Sequence, residues 1–385
     1  MGPLDGVRIV EFAGLGPSPF GAMMLADLGA DILRIDRPGG YPAPDPKLDF
    51  EQFGKFAFYN RNRRTVRLDL KTEKGREAVL RLVANADALI EPFRPGVMER
   101  LGLGPAECLA ANSRLLYARM TGWGQTGPLA RTAGHDLNYI GVSGALGLFK
   151  PHPEHEPGIP PLVGDMGGGG LFMAFGLLAG VISARTTGRG QVMDAAIVDG
   201  SALLYATIKS LHKAGSWPNP AGGNTIDGGR YFYRVYRCAD GLLVSVGAIE
   251  PAFRAVLLQQ LQLAHDPAFS NDDASREAER QDKVANVFAQ RTRDQWAELF
   301  AATDGCVAPV LSMDEAERHP QARARHSFPE VDGVSQPAPG PRFSETPADI
   351  RLTAENGSRS DPQALAAWGF SPCAIEALCS AGIVS

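Results

Sequence analysis

The chain is short of cysteine. Its 385 residues hold five (Cys108, Cys238, Cys306, Cys373 and Cys379), an odd number, scattered and without a CxxC pair. Neither a disulfide framework nor a structural or catalytic metal is expected from that pattern, and a reducing compartment is. Concentrated positive charge is missing too. The 38 Lys and Arg are outnumbered by 43 Asp and Glu, the formal net charge is −5, and no basic block stands out. That balance argues against nucleic acid as a partner. The opening Met1-Gly2-Pro3-Leu4-Asp5-Gly6 lacks a basic stretch followed by an apolar one, so no secretory signal is expected and the cytoplasm is the expected location. There are no internal repeats. The most apolar run, residues 171–182, is broken by Gly176 and Gly180 and reads as too short for a bilayer, hence as a core helix with no membrane partner.

What is present is an ordinary globular composition, 44% hydrophobic and 21% charged, on a chain long enough for two domains with cores. Val7-Arg8-Ile9-Val10-Glu11-Phe12 reads as a buried strand. Helical spacing over 17–28 ends at Gly29, and Asp31-Ile32-Leu33-Arg34-Ile35-Asp36 is the next strand. This βαβ opening predicts an α/β fold with an open parallel sheet. Asp36, 20 residues past Gly16 (36 − 16), invites a nicotinamide-binding reading. The turn Gly14-Leu15-Gly16-Pro17-Ser18-Pro19 opposes it, because it is not GxGxxG and two prolines stiffen it. A helix is expected over 73–84, strands near 66–71, 88–90 and 115–120, and a long helix over 195–214. Residues 216–229, rich in Pro, Gly and Asn, read as a linker into a hairpin whose strands flank Cys238-Ala239-Asp240-Gly241. The expected organisation is a large domain over 1–190, a helix and linker over 191–229, and a small α+β domain over 230–328. A linker with a C-terminal return to the large domain fills 329–385.

The chemistry concentrates between Gly134 and Gly170. His135 follows Gly134 and precedes Asp136. Asp165 lies thirty residues on (165 − 135), before Met166 and the run Gly167-Gly168-Gly169-Gly170. A carboxylate beside a helix start, paired with a histidine, suits proton abstraction next to a carbonyl, and glycines there admit a ligand close to the backbone. The plain alternative is an aspartate near a helix N-terminus and a core histidine. Arg94 and Arg100 follow the strand at 88–90. Arginines beyond strand carboxyl ends in an open α/β sheet suit a ligand with several phosphates. Trp123 fits either a core or a stacking role.

Several long motifs carry a resemblance. They are Asp36-Arg37-Pro38, Arg64-Thr65-Val66-Arg67-Leu68-Asp69-Leu70-Lys71, Glu91-Pro92-Phe93-Arg94-Pro95-Gly96 and Tyr117-Ala118-Arg119-Met120-Thr121-Gly122-Trp123-Gly124-Gln125. The chain resembles the class III coenzyme A transferases (CaiB/BaiF type). Gly134-His135-Asp136-Leu137-Asn138-Tyr139 and Val246-Gly247-Ala248-Ile249-Glu250-Pro251 narrow the resemblance to their α-methylacyl-CoA racemase branch. It implies a Rossmann-like large domain, a smaller α+β domain and two interlocked copies. It also implies interconversion of (R)- and (S)-2-methylacyl-CoA thioesters, with coenzyme A brought by the substrate and no separate cofactor. His135 and Asp165 would be the two proton-transferring groups, Glu250 would orient the histidine, and Asp136 would belong to the catalytic set. Coenzyme A would be held by Arg37, Leu68, Asp69, Leu70, Lys71, Arg94 and Arg100, with Gly134 and Tyr139 alongside. Backbone N–H groups near Asp136 and Asp165 are expected to stabilise the enolate, and Met166 and Met173 suit either an acyl chain or the core. The alternative is a transferase in which Asp165 attacks as a nucleophile. Where the racemase branch reads Asp-Gly-Gly-Ala-Pro, this chain has Asp227-Gly228-Gly229-Arg230-Tyr231, and before Asp165 it has Pro160-Pro161-Leu162-Val163-Gly164 in place of Pro-Leu-Asn-Leu-Val; both departures are expected to line the acyl pocket.

Overall fold

The structure, a computed structural model, describes residues 2–40, 45, 47, 52–149, 159–218, 220–271 and 273–385. The chain divides into two compact units: Met1–Leu146, Gly158–Tyr205 and His326–Ser385 form the first, Gly147–Pro157 and Ala206–Arg325 the second.

The first unit is built on six strands: β1 (Arg8–Phe12), β2 (Asp31–Asp36), β3 (Arg64–Arg67), β4 (Ala88–Glu91), β5 (Leu116–Thr121) and β6 (Gln191–Ala196). Their order is β3-β2-β1-β4-β5-β6, with every pairing parallel. The apolar residues of β1, β2, β4 and β5 are buried on both faces of the sheet, with Glu11, Arg34, Asp36, Glu91 and Arg119 buried among them. Alternate residues go to different cores. Val10, Phe12, Leu33, Ile35 and Leu89 pack with helix α2 (Glu73–Val83) and with Trp368, Ile375 and Val384 of the C-terminal segment. Ile9, Ile32, Ala88 and Ile90 pack with helix α1 (Pro17–Asp27) and with Met173 and Leu177. Strand order reverses between β1 and β4, and in open parallel sheets ligands lodge at the carboxyl ends of such a pair.

Helix α3 (Asp136–Ser143) follows β5, and the glycine-rich stretch then begins earlier than its sequence suggests. Leu162–Leu171 is a π-helix continuous with α4 (Phe172–Thr187). At 26 residues, with a mean hydropathy of 1.7 over its most apolar window, this element is long and apolar enough to cross a bilayer, against the expectation from 171–182 alone. Protein covers one side of it. A methyl group on Gly168 would lie 2.6 Å from the Ser201 backbone nitrogen in α5 (Ile197–Leu204), and one on Gly169 would lie 2.8 Å from Pro17. The glycines are therefore spent on close helix packing, not on admitting a ligand. Another side of the element is bare, where Leu171, Phe175 and Ile182 are exposed, Phe175 at 72%.

The large unit runs beyond residue 190, because β6 completes its sheet and α5 follows directly. The long helix expected over 195–214 is interrupted at Tyr205, whose hydroxyl donates to the Ser143 carbonyl at 2.6 Å. In the second unit, β7 (Tyr233–Arg237), β8 (Leu243–Gly247) and β9 (Val307–Pro309) form an antiparallel sheet. Tyr236, Val244 and Val246 on its inner face pack against Leu257, Val284, Phe288 and Trp296.

Candidate active site

A cavity of about 430 Å³ opens in the first unit at the reversal point of the sheet. Its walls are the segments that leave the carboxyl ends of β1, β4 and β5 (Ala13 to Ser18, Pro92 to Arg94, Thr121 to Trp123), closed by Gly134, His135, Tyr139 and Asp165.

Each wall is held by local chemistry. Buried Glu91, the last residue of β4, accepts from the Phe93 N–H at 2.8 Å and from Arg119 Nε at 2.9 Å, which fixes the turn carrying Arg94. The Tyr139 ring lies edge-on to Trp123, centroids 4.8 Å apart, and its hydroxyl donates to the Gly134 carbonyl. Tyr139 thus ties the residue before His135 to its own helix. His135 is exposed at the N-cap of α3, where its N–H donates to Asn138 Oδ1 at 3.1 Å. Trp123 is part of the cavity wall.

Asp165 sits in the π-helix, an arrangement frequent at functional sites. Its N–H donates to Asp136 Oδ2 at 2.5 Å. Its carboxylate lies against Gly16: a methyl group there would be 2.8 Å from Asp165 Oδ2, and Gly16 has φ +64°. A side chain at position 16 would be strained and would displace the carboxylate. Burial first, and the neighbouring Asp136 charge second, push the Asp165 carboxyl up to about 6. Burial also raises Asp136, against hydrogen bonds from the Asp165 and Gly164 N–H groups. Replacing Asp136 by Asn keeps an oxygen acceptor and removes the charge. The acid limb of the activity profile is expected to move to lower pH in Asp136→Asn, as a pH series of kcat/KM would show.

Of the residues expected from the sequence, the structure brings His135, Asp165, Arg94, Gly134 and Tyr139 to one cavity. Asp136 is not part of the wall; its Oδ2 accepts from the Asp165 N–H. Arg37, Leu68, Asp69, Leu70, Lys71 and Arg100 lie outside the wall. Leu68 is 0% exposed and packs beside Val384, so its side chain has no surface to offer a ligand. The Asp69 N–H is taken by the Ile383 carbonyl. Arg37 Nε donates to Gly40, and Arg100 is exposed at the end of the short helix Val97–Arg100. Glu250 belongs to the second unit, as N-cap of the helix Pro251–Gln260. Met173 is core and Met166 contacts Tyr59, neither of them in the wall. Tyr231 is buried against Phe269 and its N–H is held by Glu277, so the Arg230-Tyr231 departure is absorbed by the core of the second unit. Of the amides expected to stabilise an enolate, that of Asp165 is occupied by Asp136 and that of Met166 by Pro161. The wall segment 13–18 carries no site signal in the sequence, where Gly14 to Pro19 reads only as a turn that fails the dinucleotide pattern and leads into a helix.

The profile of CoA-transferase family III matches residues 4–358. The chain is 41% identical to the α-methylacyl-CoA racemase of Mus musculus over 348 residues, 90% of this chain and 87% of the relative. Identity to the racemase of Homo sapiens is also 41%, over 347 residues, with the same shares of both chains. Among solved structures, a CaiB/BaiF family protein from Brucella suis superposes with a TM-score of 0.76 at 27% identity, covering 93% of this chain and 98% of that one.

Proposed function

The chain belongs to CoA-transferase family III, and on that premise we propose that it is a racemase of 2-methylacyl-CoA thioesters, working through an enolate between two bases. One observation carries the reading: His135 and Asp165, thirty residues apart in sequence, line a single cavity at the carboxyl ends of β1, β4 and β5.

The α-proton of a thioester is weakly acidic, and inversion requires removing it from one face and returning a proton to the other. An imidazole and a carboxylate sharing a cavity suit that task, one as base and the other as acid, with the roles exchanged for the opposite enantiomer. An ordinary carboxylate, with a pKa near 3.9, is a poor base at neutral pH, and one raised to about 6 is a better match. As the proton leaves, the C–H electron pair moves onto the carbonyl oxygen. The N–H groups of Asp136 and Leu137, in the first turn of α3 directly after the wall residue His135, have no partner among the described residues and are the donors proposed for that charge. No redox or metal cofactor enters this scheme. For the alternative, attack by Asp165 on a thioester, the histidine would have no evident use.

Coenzyme A is proposed to approach over the carboxyl edge of the sheet. Arg94 supports this, being exposed in the cavity wall with no ion-pair partner among the described residues. Arg94→Ala is expected to raise KM about tenfold with little change in kcat, the pattern of binding lost equally from ground and transition states. The roles of Arg37, Arg100, the 68–71 segment and Glu250 rest on the family resemblance alone. A homodimer belongs to the same reading, supported by the bare stripe Leu171, Phe175 and Ile182. Phe175→Glu is expected to shift the sedimenting species from dimer toward monomer.

The reading is tested by supplying one pure enantiomer of 2-methyloctanoyl-CoA without an acceptor acid. Chiral analysis should show the same final mixture from either side. Activity only when a free acid is added would point to the transferase.

A further inference from the structure

Helix α1 starts in the cavity wall with a first turn that is poor in donors. Gly16 is its N-cap and has no side chain to cap it. Pro17 and Pro19 carry no N–H, and the Phe20 N–H is taken by the Gly16 carbonyl at 3.3 Å. That leaves Ser18, between the two prolines. Its N–H has no partner among the described residues, and neither has its hydroxyl, although the residue is 0% exposed. Buried hydroxyls normally find a partner, since leaving one unmade costs stability. Ser18 lines the same cavity as His135 and Asp165, and it lies two residues beyond Gly16, against which the Asp165 carboxylate rests.

A donor pair left unmade in a cavity wall, at the positive end of an eleven-residue helix, fits an oxygen that acquires negative charge. We infer that Ser18 is a catalytic residue of this chain, its hydroxyl and amide donating to the thioester carbonyl oxygen as that oxygen becomes an enolate. The inference rests on the racemase reading and adds a second set of donors to the α3 amides. No bond to the protein forms: the α-proton goes to one base, its electron pair goes to the carbonyl oxygen under Ser18, and the other base supplies the returning proton. The two prolines acquire a purpose here, since they fix the turn and leave the serine as its donor.

The test is Ser18→Ala, compared with wild type on 2-methyloctanoyl-CoA in deuterated water. The expected result is a fall in kcat of about 100-fold, with KM changed less than about threefold, as for removal of an oxyanion donor. Tm should stay level or rise, because an unsatisfied buried hydroxyl has been deleted. A merely structural serine would lower Tm and leave the kcat of the folded fraction alone. Wild-type exchange with Ser18→Ala within about threefold of it in kcat, or a variant that loses Tm along with activity, would overturn the inference and leave the racemase reading standing. No exchange by wild type would remove both.

Discussion

Asp165→Asn is expected to reduce racemisation of 2-methyloctanoyl-CoA by about 1,000-fold, within the range typical for a lost general base. The amide keeps the size of the carboxylate, so the contact with Gly16 is preserved while the proton-accepting function goes. A two-base cavity makes a sharper statement than loss of rate. With only His135 left, the enantiomer whose α-hydrogen faces the imidazole should still exchange hydrogen for solvent deuterium, with retention of configuration. His135→Ala should show the opposite preference. If both variants lost exchange with both enantiomers, the separate roles given to the two residues would be wrong. Because burial holds the Asp165 pKa above its usual value, the group favours the fold below about 3.8, and that contribution is lost as pH rises through about 6. Asp165→Asn should therefore melt no lower than wild type at pH 7.5, which separates a chemical defect from unfolding.

The pH profile is the second large effect. In the proposed two-base scheme the working forms of the cavity are carboxylate with imidazolium and carboxylic acid with neutral imidazole. They hold the same number of protons, so their ratio does not depend on pH. The kcat/KM profiles for (R) and (S) substrates must then superimpose as one bell. Their acid limb is expected near pH 6, well above an ordinary carboxylate, with a fall of about tenfold per pH unit below it. Profiles displaced from one another, or an acid limb near pH 4, would contradict the shared-proton arrangement.

How much of this was legible in the sequence depended on the range of the interaction. The α/β architecture was readable because strands buried on both faces write themselves as apolar runs, and Gly29 and the β1–α1–β2 spacing punctuate them. His135 and Asp165 were readable from chemistry and from the family motifs around them. Hidden were the features set by contacts distant in sequence. Asp136 looks like one more active-site acid, and only its hydrogen bond to the Asp165 N–H gives it a supporting role. Gly167 to Gly170 look like a ligand cradle, yet α1 and α5 occupy that side. Leu68 sits in a conspicuous motif and is sealed by a C-terminal segment more than 300 residues later. The π-helix could not be anticipated, because the contacts along it, with Asp136, α1 and α5, are all distant in sequence.

The most direct measurement is proton NMR of enantiomerically pure (S)-2-methyloctanoyl-CoA with the enzyme in deuterated water, without any acceptor acid. Uptake of one α-deuterium accompanied by appearance of the (R) epimer, with coenzyme A still attached, is the expected result. An unchanged α-proton together with hydroxylamine-trappable acyl or coenzyme A bound to Asp165 would contradict it.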